Sequence, residues 1–405
     1  MKPVLFAMIA AACLASAAVR QTTDANTDER IRTLERQLAS SPDDGHLQGG
    51  LIAAYLQKVR ESADSTYLDR ASKLVDRMLE KDAGSFTALR FQNEIDLQRH
   101  DFQAVAERAE DLLKYAPSDA GSWGNLGDAL MELGEYERAG GAYLKMLSLR
   151  PNLPSYNRLA YFRFVTGDPQ GGIKLMQDAI AAGDPQAENV AWCWAELGDM
   201  YFKTGKLEEA ARAYRASLDL FPSLHRASAG LGRVEAAEGQ LQAAIRDYKH
   251  AQSIVPLVEY AAALEDLYRS AGMLKEAHEQ EELIGTIEKL GRATGEKTNR
   301  NLALALADHN KNPDLALHLL QAEIPVRSDV YTWDALSWVL FKNGRLNEAR
   351  DATFKALKLN TPEPLFYYHA TVIARASGDT KAARDYEDHL ISLNPKFKTT
   401  GGQTR

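Results

Sequence analysis

Apolar and small residues along this chain recur in blocks with a fixed internal order, not as one continuous stripe. An aromatic residue, a Leu-Gly pair, then Gly, Ala, Tyr and Pro return about every 34 residues. The fullest copy runs Trp194, Leu197, Gly198, Tyr201, Gly205, Ala210, Tyr214 and Pro222, and the same slots return as Trp123, Leu126, Gly127, Gly134, Ala139, Tyr143 and Pro151. Self-similarity at this period predicts one helical hairpin per repeat, each stacked on its neighbours to bury a shared core. Gly134, Gly167, Gly205, Gly239, Gly272, Gly344 and Gly378 fall where the first helix of each unit should end in a left-handed residue. Pro117, Pro151, Pro222, Pro256, Pro362 and Pro395 stop the second helix. Gly127, Gly198 and Gly232 sit inside a helix, where glycine costs roughly 1 kcal/mol against alanine. Their presence predicts a close approach of the second helix, and Ala139, Ala210, Ala244, Ala277, Ala349 and Ala383 keep that contact thin.

These anchors place units at about 85–119, 120–152, 153–186, 191–224, 225–257, 258–290, 298–328, 330–363 and 364–397. An earlier unit, 44–81, holds about eight extra residues between Ala54 and Ala71, as longer helices or a longer loop; longer helices are the expectation. Ile31, Leu34 and Leu38 form one stripe before Pro42, an unpaired helix capping the stack. Two places break the pattern. Asn310 replaces the turn glycine after a polar stretch from Gly291 to Thr298, the expected hinge or insertion loop. In 153–186, Gly171-Gly172 and Asp184-Pro185 replace the usual alanine and proline, predicting lower local stability.

The order Trp194, Leu197, Gly198, Tyr201, Gly205, Ala210, Tyr214, Pro222 resembles the tetratricopeptide repeat family. That resemblance spans about residues 44–397. It implies an all-α solenoid of about ten helix pairs wound into a right-handed superhelix, acting as a non-catalytic holder of other proteins. It also implies that slots 2, 5, 9, 12 and 13 of each first helix face the concave groove. Carried onto this sequence, the rule yields Asp128, Met131, Asn157, Lys203, Arg226, Glu259, Tyr331, Asp334 and Tyr368. From the same slots come the ten residues singled out for partner binding: Tyr161, Phe164, Trp192, Asp199, Phe202, Arg233, Asp266, Arg269, Trp338 and Phe341. Aromatic area with interleaved charge is the composition of a peptide-binding surface. Trp123, Trp194 and Trp333 occupy the slot that packs neighbouring repeats. The carboxylate clamp by which some family members grip chaperone tails is not assembled, because the matching slots hold Gly124, Asn125 and Asp128.

Composition adjusts this picture. The 405 residues are 45% hydrophobic and 26% charged, ordinary for a folded chain, and carry a net charge of -8. A chain this acidic lacks the clustered cations that release phosphate counterions, so nucleic acid is not an expected partner, and a basic partner or no strong electrostatic preference fits better. Lys2, the uncharged run from Val4 to Leu14, and Ala15-Ser16-Ala17 read as an export signal over 1–18. Residues 19–43 follow as linker and capping helix, 44–397 as the array, and 398–405 as a tail. The expected location is periplasmic or secreted. Cys13 lies in the signal; it is either removed with it or lipidated, which would tether the chain to a membrane. If it is removed, Cys193 alone remains and no internal disulfide forms.

Catalytic signatures are missing. Gly291 and Gly295 are three residues apart, Glu296 interrupts the Gly-Lys run, and no strand precedes them, so they make no phosphate loop. His278-Glu279 has no second histidine four positions on, Cys193 carries no nucleophile signature, and no Gly-x-Ser-x-Gly elbow occurs. The expectation is no catalytic residue, no metal and no cofactor. The alternative is a regulatory or catalytic enzyme subunit whose site is assembled across repeats.

Overall fold

The computed structural model describes residues 27–293 and 299–397. The expected export signal over 1–18, the expected tail over 398–405 and positions 294–298 lie outside the described residues. Among the described residues there are 21 helices and no strand. Helix 27–40 stands alone at the head, on the core of the first pair through Ile31, Leu34 and Leu38. Ten antiparallel pairs follow, and helices within a pair and between consecutive pairs pack throughout. The first pair is stretched as expected, with helices Gly45–Ser62 and Thr66–Lys81. The polar break is shorter than expected, because helix Leu274–Ala293 continues through Gly291.

Short-range chemistry explains the hairpins. The side chains of Asp101, Asp119, Asn152, Asp168, Asp329 and Asp379 accept backbone N–H groups at helix starts, supplying caps that the first turn cannot supply itself. All seven turn glycines have positive φ, and so do Asn310 and His100 at the same slot of their units. At Gly198 a Cβ would meet the Tyr214 ring at 2.5 Å, and at Gly232 the Tyr248 ring at 2.7 Å; the Tyr143 ring lies against Gly127 in the same way. In Leu153–Val165 and Pro169–Ala182, Gly172 takes the alanine's place because a Cβ there would meet the Ala160 oxygen at 2.9 Å.

The superhelix closes on itself, and local pattern does not announce this. The turn of the third pair, Ala120–Glu132 and Tyr136–Leu149, touches the chain entering the ninth, Val330–Lys342 and Leu346–Ala356. There the Ser328 N–H donates to the Glu132 oxygen (2.9 Å), its hydroxyl to the Leu133 oxygen (2.7 Å), and Tyr136 Oη accepts from the Val330 N–H (2.8 Å). One unit later, Thr361 Oγ1 donates to the Val165 oxygen (2.7 Å). One more unit on, Asn394 Nδ2 donates to the Phe202 oxygen (2.9 Å). These side-chain bonds all join residues 192 to 196 apart in sequence, so each turn glycine region of pairs three to five meets chain six pairs further on.

Candidate binding site

The glycine that admits a tyrosine ring also sets up the polar wall. Tyr143 and Tyr214, pressed on Gly127 and Gly198, reach past the first helix to donate to Asp128 Oδ1 (3.0 Å) and Asp199 Oδ1 (2.6 Å). Each aspartate then takes an arginine from the next unit: Arg158 Nε lies 3.0 Å from both Asp128 oxygens, and Arg226 Nη2 lies 3.0 Å from Asp199 Oδ2, with Arg233 on the other oxygen. Burial alone would raise the Asp199 carboxyl, but Arg233, Arg226 and Lys203 hold it well below the usual carboxylate range. Glycine, tyrosine, aspartate and the following arginine form one coupled unit that recurs along the inner face.

Inside the closed turn lies a cavity of about 850 Å³. First helices of pairs one to six line it, and Arg300, Arg327 and Tyr331 come across from the far turn. Six cations and six carboxylates face it: Arg60, Arg158, Lys203, Arg226, Arg300 and Arg327 against Glu94, Asp128, Glu132, Glu188, Glu196 and Asp199. Lys203 Nζ reaches Glu363 (2.9 Å), Arg327 Nε reaches Glu132 (2.7 Å), Arg300 reaches Asp329 (3.2 Å), and Arg60 lies 3.5 Å from Glu188. Arg226 pairs with Glu196 as well as Asp199. The aromatics are placed by cations, with Arg226 over the Trp192 ring at 5.7 Å and Lys203 over Tyr331 at 5.3 Å. Burial and the Asp329 charge push the Glu132 carboxyl up to about 7, against Arg327 and Arg300. Burial, with Arg327 and Arg300, pushes the His100 imidazole down to about 4.

Of the ten residues singled out from the sequence, the structure brings Tyr161, Trp192 and Asp199 together in this cavity. Phe164 is 2% exposed and belongs to the core beneath it, with Lys203 5.9 Å above the ring. Phe202 and Arg233 pack against each other in the wall behind Asp199. Asp266 and Arg269 belong to a separate network, where Asp266 lies 3.2 Å from His309 Nε2 and Arg269 pairs with Glu265 at 2.7 Å. Trp338, 6% exposed, stacks on His369 at 4.2 Å and donates to Asp308; Phe341 stacks on Trp338. Sequence reasoning missed Arg60, Glu94, Arg158, Glu188, Glu196, Arg300 and Arg327. Glu188 was hidden because helix Ala187–Lys203 starts before the expected unit boundary, and Arg300 and Arg327 because they arrive only through closure. Cys193 is buried, and burial pushes its thiol up to about 12, far from a reactive thiolate.

The sequence profile of the family described as tetratricopeptide repeat matches residues 95–154 and 195–256, the stretches that hold the Gly127–Tyr143 and Gly198–Tyr214 units. In those two stretches the chain carries tetratricopeptide repeats. Among solved structures it is similar to a chain of the APC/C hetero-tetramer Cut9-Hcn1, at 18% identity and a TM-score of 0.51, over 74% of this chain and 57% of that one. It thus spans little more than half of that neighbour's length. It is also similar to the human IFIT1 dimer with PPP-AAAA, at 13% identity and a TM-score of 0.50, over 91% of this chain and 87% of that one. At these identities the likeness is one of fold. No curated protein sequence matches the chain. Among the described residues no helix is long and apolar enough to cross a membrane.

Proposed function

We propose that this is an exported, non-catalytic scaffold that holds an extended segment of a partner protein inside its closed superhelical turn. The observation that carries the reading is the cavity of about 850 Å³ lined by Tyr161, Trp192 and Tyr331 amid charges of both signs. Large aromatic faces bury area at small entropic cost, while fixed charges set the register of an inserted chain. Equal numbers of cations and carboxylates support a polypeptide over a polyphosphate, because a phosphate chain entering there would have to displace carboxylates that already hold the arginines. Export rests on the charge and apolar pattern of residues 1–18. Membrane attachment enters this reading only through lipidation of Cys13.

A photo-crosslinking residue placed at Trp192, compared in the native host with one at the outward-facing Phe354, tests the proposal. Partner adducts specific to position 192 that vanish in Tyr161→Ala are expected. Identical adducts at both positions, or none at 192, would refute it.

A further inference from the structure

The cavity's charges are not all equivalent. Arg60, Arg158, Lys203, Arg226, Arg300 and Arg327 each have a carboxylate partner, and Asp128, Glu132, Glu188, Glu196 and Asp199 each have an arginine partner. Glu94, half-buried on helix Phe86–Gln98, has neither an ion pair nor a hydrogen bond among the described residues. Among the described residues it is the one cavity carboxylate without a direct partner. On the next first helix, Ala120–Glu132, Asn125 is 5% exposed, lines the same cavity, and has a buried Nδ2 without an acceptor. A buried amide donor without an acceptor is destabilising, so two adjacent helices carry unmet demands of complementary kind, one for a cation and one for a carbonyl.

The two sit in one neighbourhood. Asp128 follows Asn125 by one helical turn, and the charges of Asp128 and its partner Arg158 act on Glu94. Gly124, one residue before Asn125, lets the cavity-lining Met146 pack closely on this helix: a Cβ there would meet Met146 Sδ at 3.0 Å. We propose that Glu94 and Asn125 form a subsite for a basic residue of the inserted segment, its cationic head against the Glu94 carboxylate and its main-chain carbonyl accepting from Asn125 Nδ2. This rests on the scaffold reading above and names the chemistry of what enters. It agrees with the net charge of -8, which favours approach of a basic segment. Burial raises the Glu94 carboxyl despite Arg90, Arg60 and Arg158 nearby, and a ligand cation would offset that burial.

The test uses two probes that leave the protein untouched: an acetylated, amidated heptapeptide of glycine and alanine with one central lysine, and its twin with norleucine. Binding of each to the full chain is titrated by ligand-detected NMR. The lysine peptide should bind about tenfold more tightly, as a charge-assisted contact implies. In Glu94→Gln that ratio should fall to about one. Asn125→Ala should weaken both peptides alike, by roughly fivefold, the worth of one hydrogen bond. A wild-type ratio near one, a ratio that survives Glu94→Gln, or failure of both peptides to bind would overturn the subsite. Adducts at position 192 report separately on the scaffold, so a protein that crosslinks its partner there yet ignores lysine keeps the scaffold and loses the subsite.

Discussion

Gly134 and Gly239 occupy the same slot in the third and sixth pairs, with φ of +74° and +80°, yet their surroundings differ completely. A Cβ on Gly134 would meet the Ser328 oxygen at 2.7 Å, and on Gly167 the Leu359 oxygen at 2.8 Å, whereas Gly239 and Gly272 have nothing within 4 Å. Pairs three to five are clasped by the returning turn; pairs six and seven are not. The same local rule therefore builds two kinds of region. In one, the turn glycine only ends a helix; in the other, it is also a seat for chain six pairs on. The cavity is centred on the clasped region and extends to pairs one, two and six.

The comparison breaks most sharply at the aspartates. Asp199→Ala removes the carboxylate that Arg233 and the fully buried Tyr214 hydroxyl share, leaving them only each other at 3.1 Å, and should cost about 3–5 kcal/mol in urea unfolding, the range for breaking a buried pair. Asp266→Ala at the matching slot of the unclasped region should cost about 1 kcal/mol, since Glu265 still holds His309. Equal losses would show that clasping does not matter to the wall. Next in size, Gly134→Ala combines left-handed strain with a backbone clash and should cost about 3 kcal/mol, against about 1 kcal/mol for Gly239→Ala, both read as shifts in denaturant midpoint. Thr361→Val removes the bond to the Val165 oxygen and should cost about 1–2 kcal/mol.

A pH effect comes after these. Because the folded-state Glu132 carboxyl is raised to about 7 from an ordinary value of 4.5, the folded chain holds that proton more tightly than the unfolded one. Its contribution to stability is therefore full below about pH 4.5 and declines as pH rises toward about 7. Thermal melts of the wild type should show part of this decline and Glu132→Gln should flatten it; identical slopes would contradict the assignment. Smallest of all, Trp192→Ala should lower the melting temperature by only a few degrees, because the half-buried ring packs on the core along one side and faces the cavity on the other, while removing partner capture.

What was legible in the sequence follows range. Every helix pair could be read, because glycine, alanine and proline act within about ten residues of their own position. Inner-face slots led to the cavity in part: Asp128, Met131, Asn157, Tyr161, Trp192, Asp199, Lys203, Arg226 and Tyr331 line it, whereas Phe164, Phe202, Arg233, Glu259, Asp266, Arg269, Asp334, Trp338, Phe341 and Tyr368 do not. Slot position does not tell whether an aromatic stays at the surface of its face. Phe164 and Trp338 sank into the packing because neighbouring rings and stems cover them. Closure was illegible for a different reason. It depends on small rotations accumulated over six pairs, and its contacts fall on a serine, a threonine and an asparagine with no repeat signature: Ser328, Thr361 and Asn394.

The central claim is that one superhelical turn closes on the next. Spin labels on Arg163→Cys and Lys358→Cys flank the Gly167 seat; Cys193 is buried with its thiol pushed up to about 12 and stays unlabelled, and Cys13 is replaced by alanine. Electron-electron dipolar spectroscopy should return a single narrow distance below about 25 Å. An open stack of six pairs, at about 8–10 Å between neighbouring helices, would instead place the labels about 50–60 Å apart, and a distribution centred there would contradict the account.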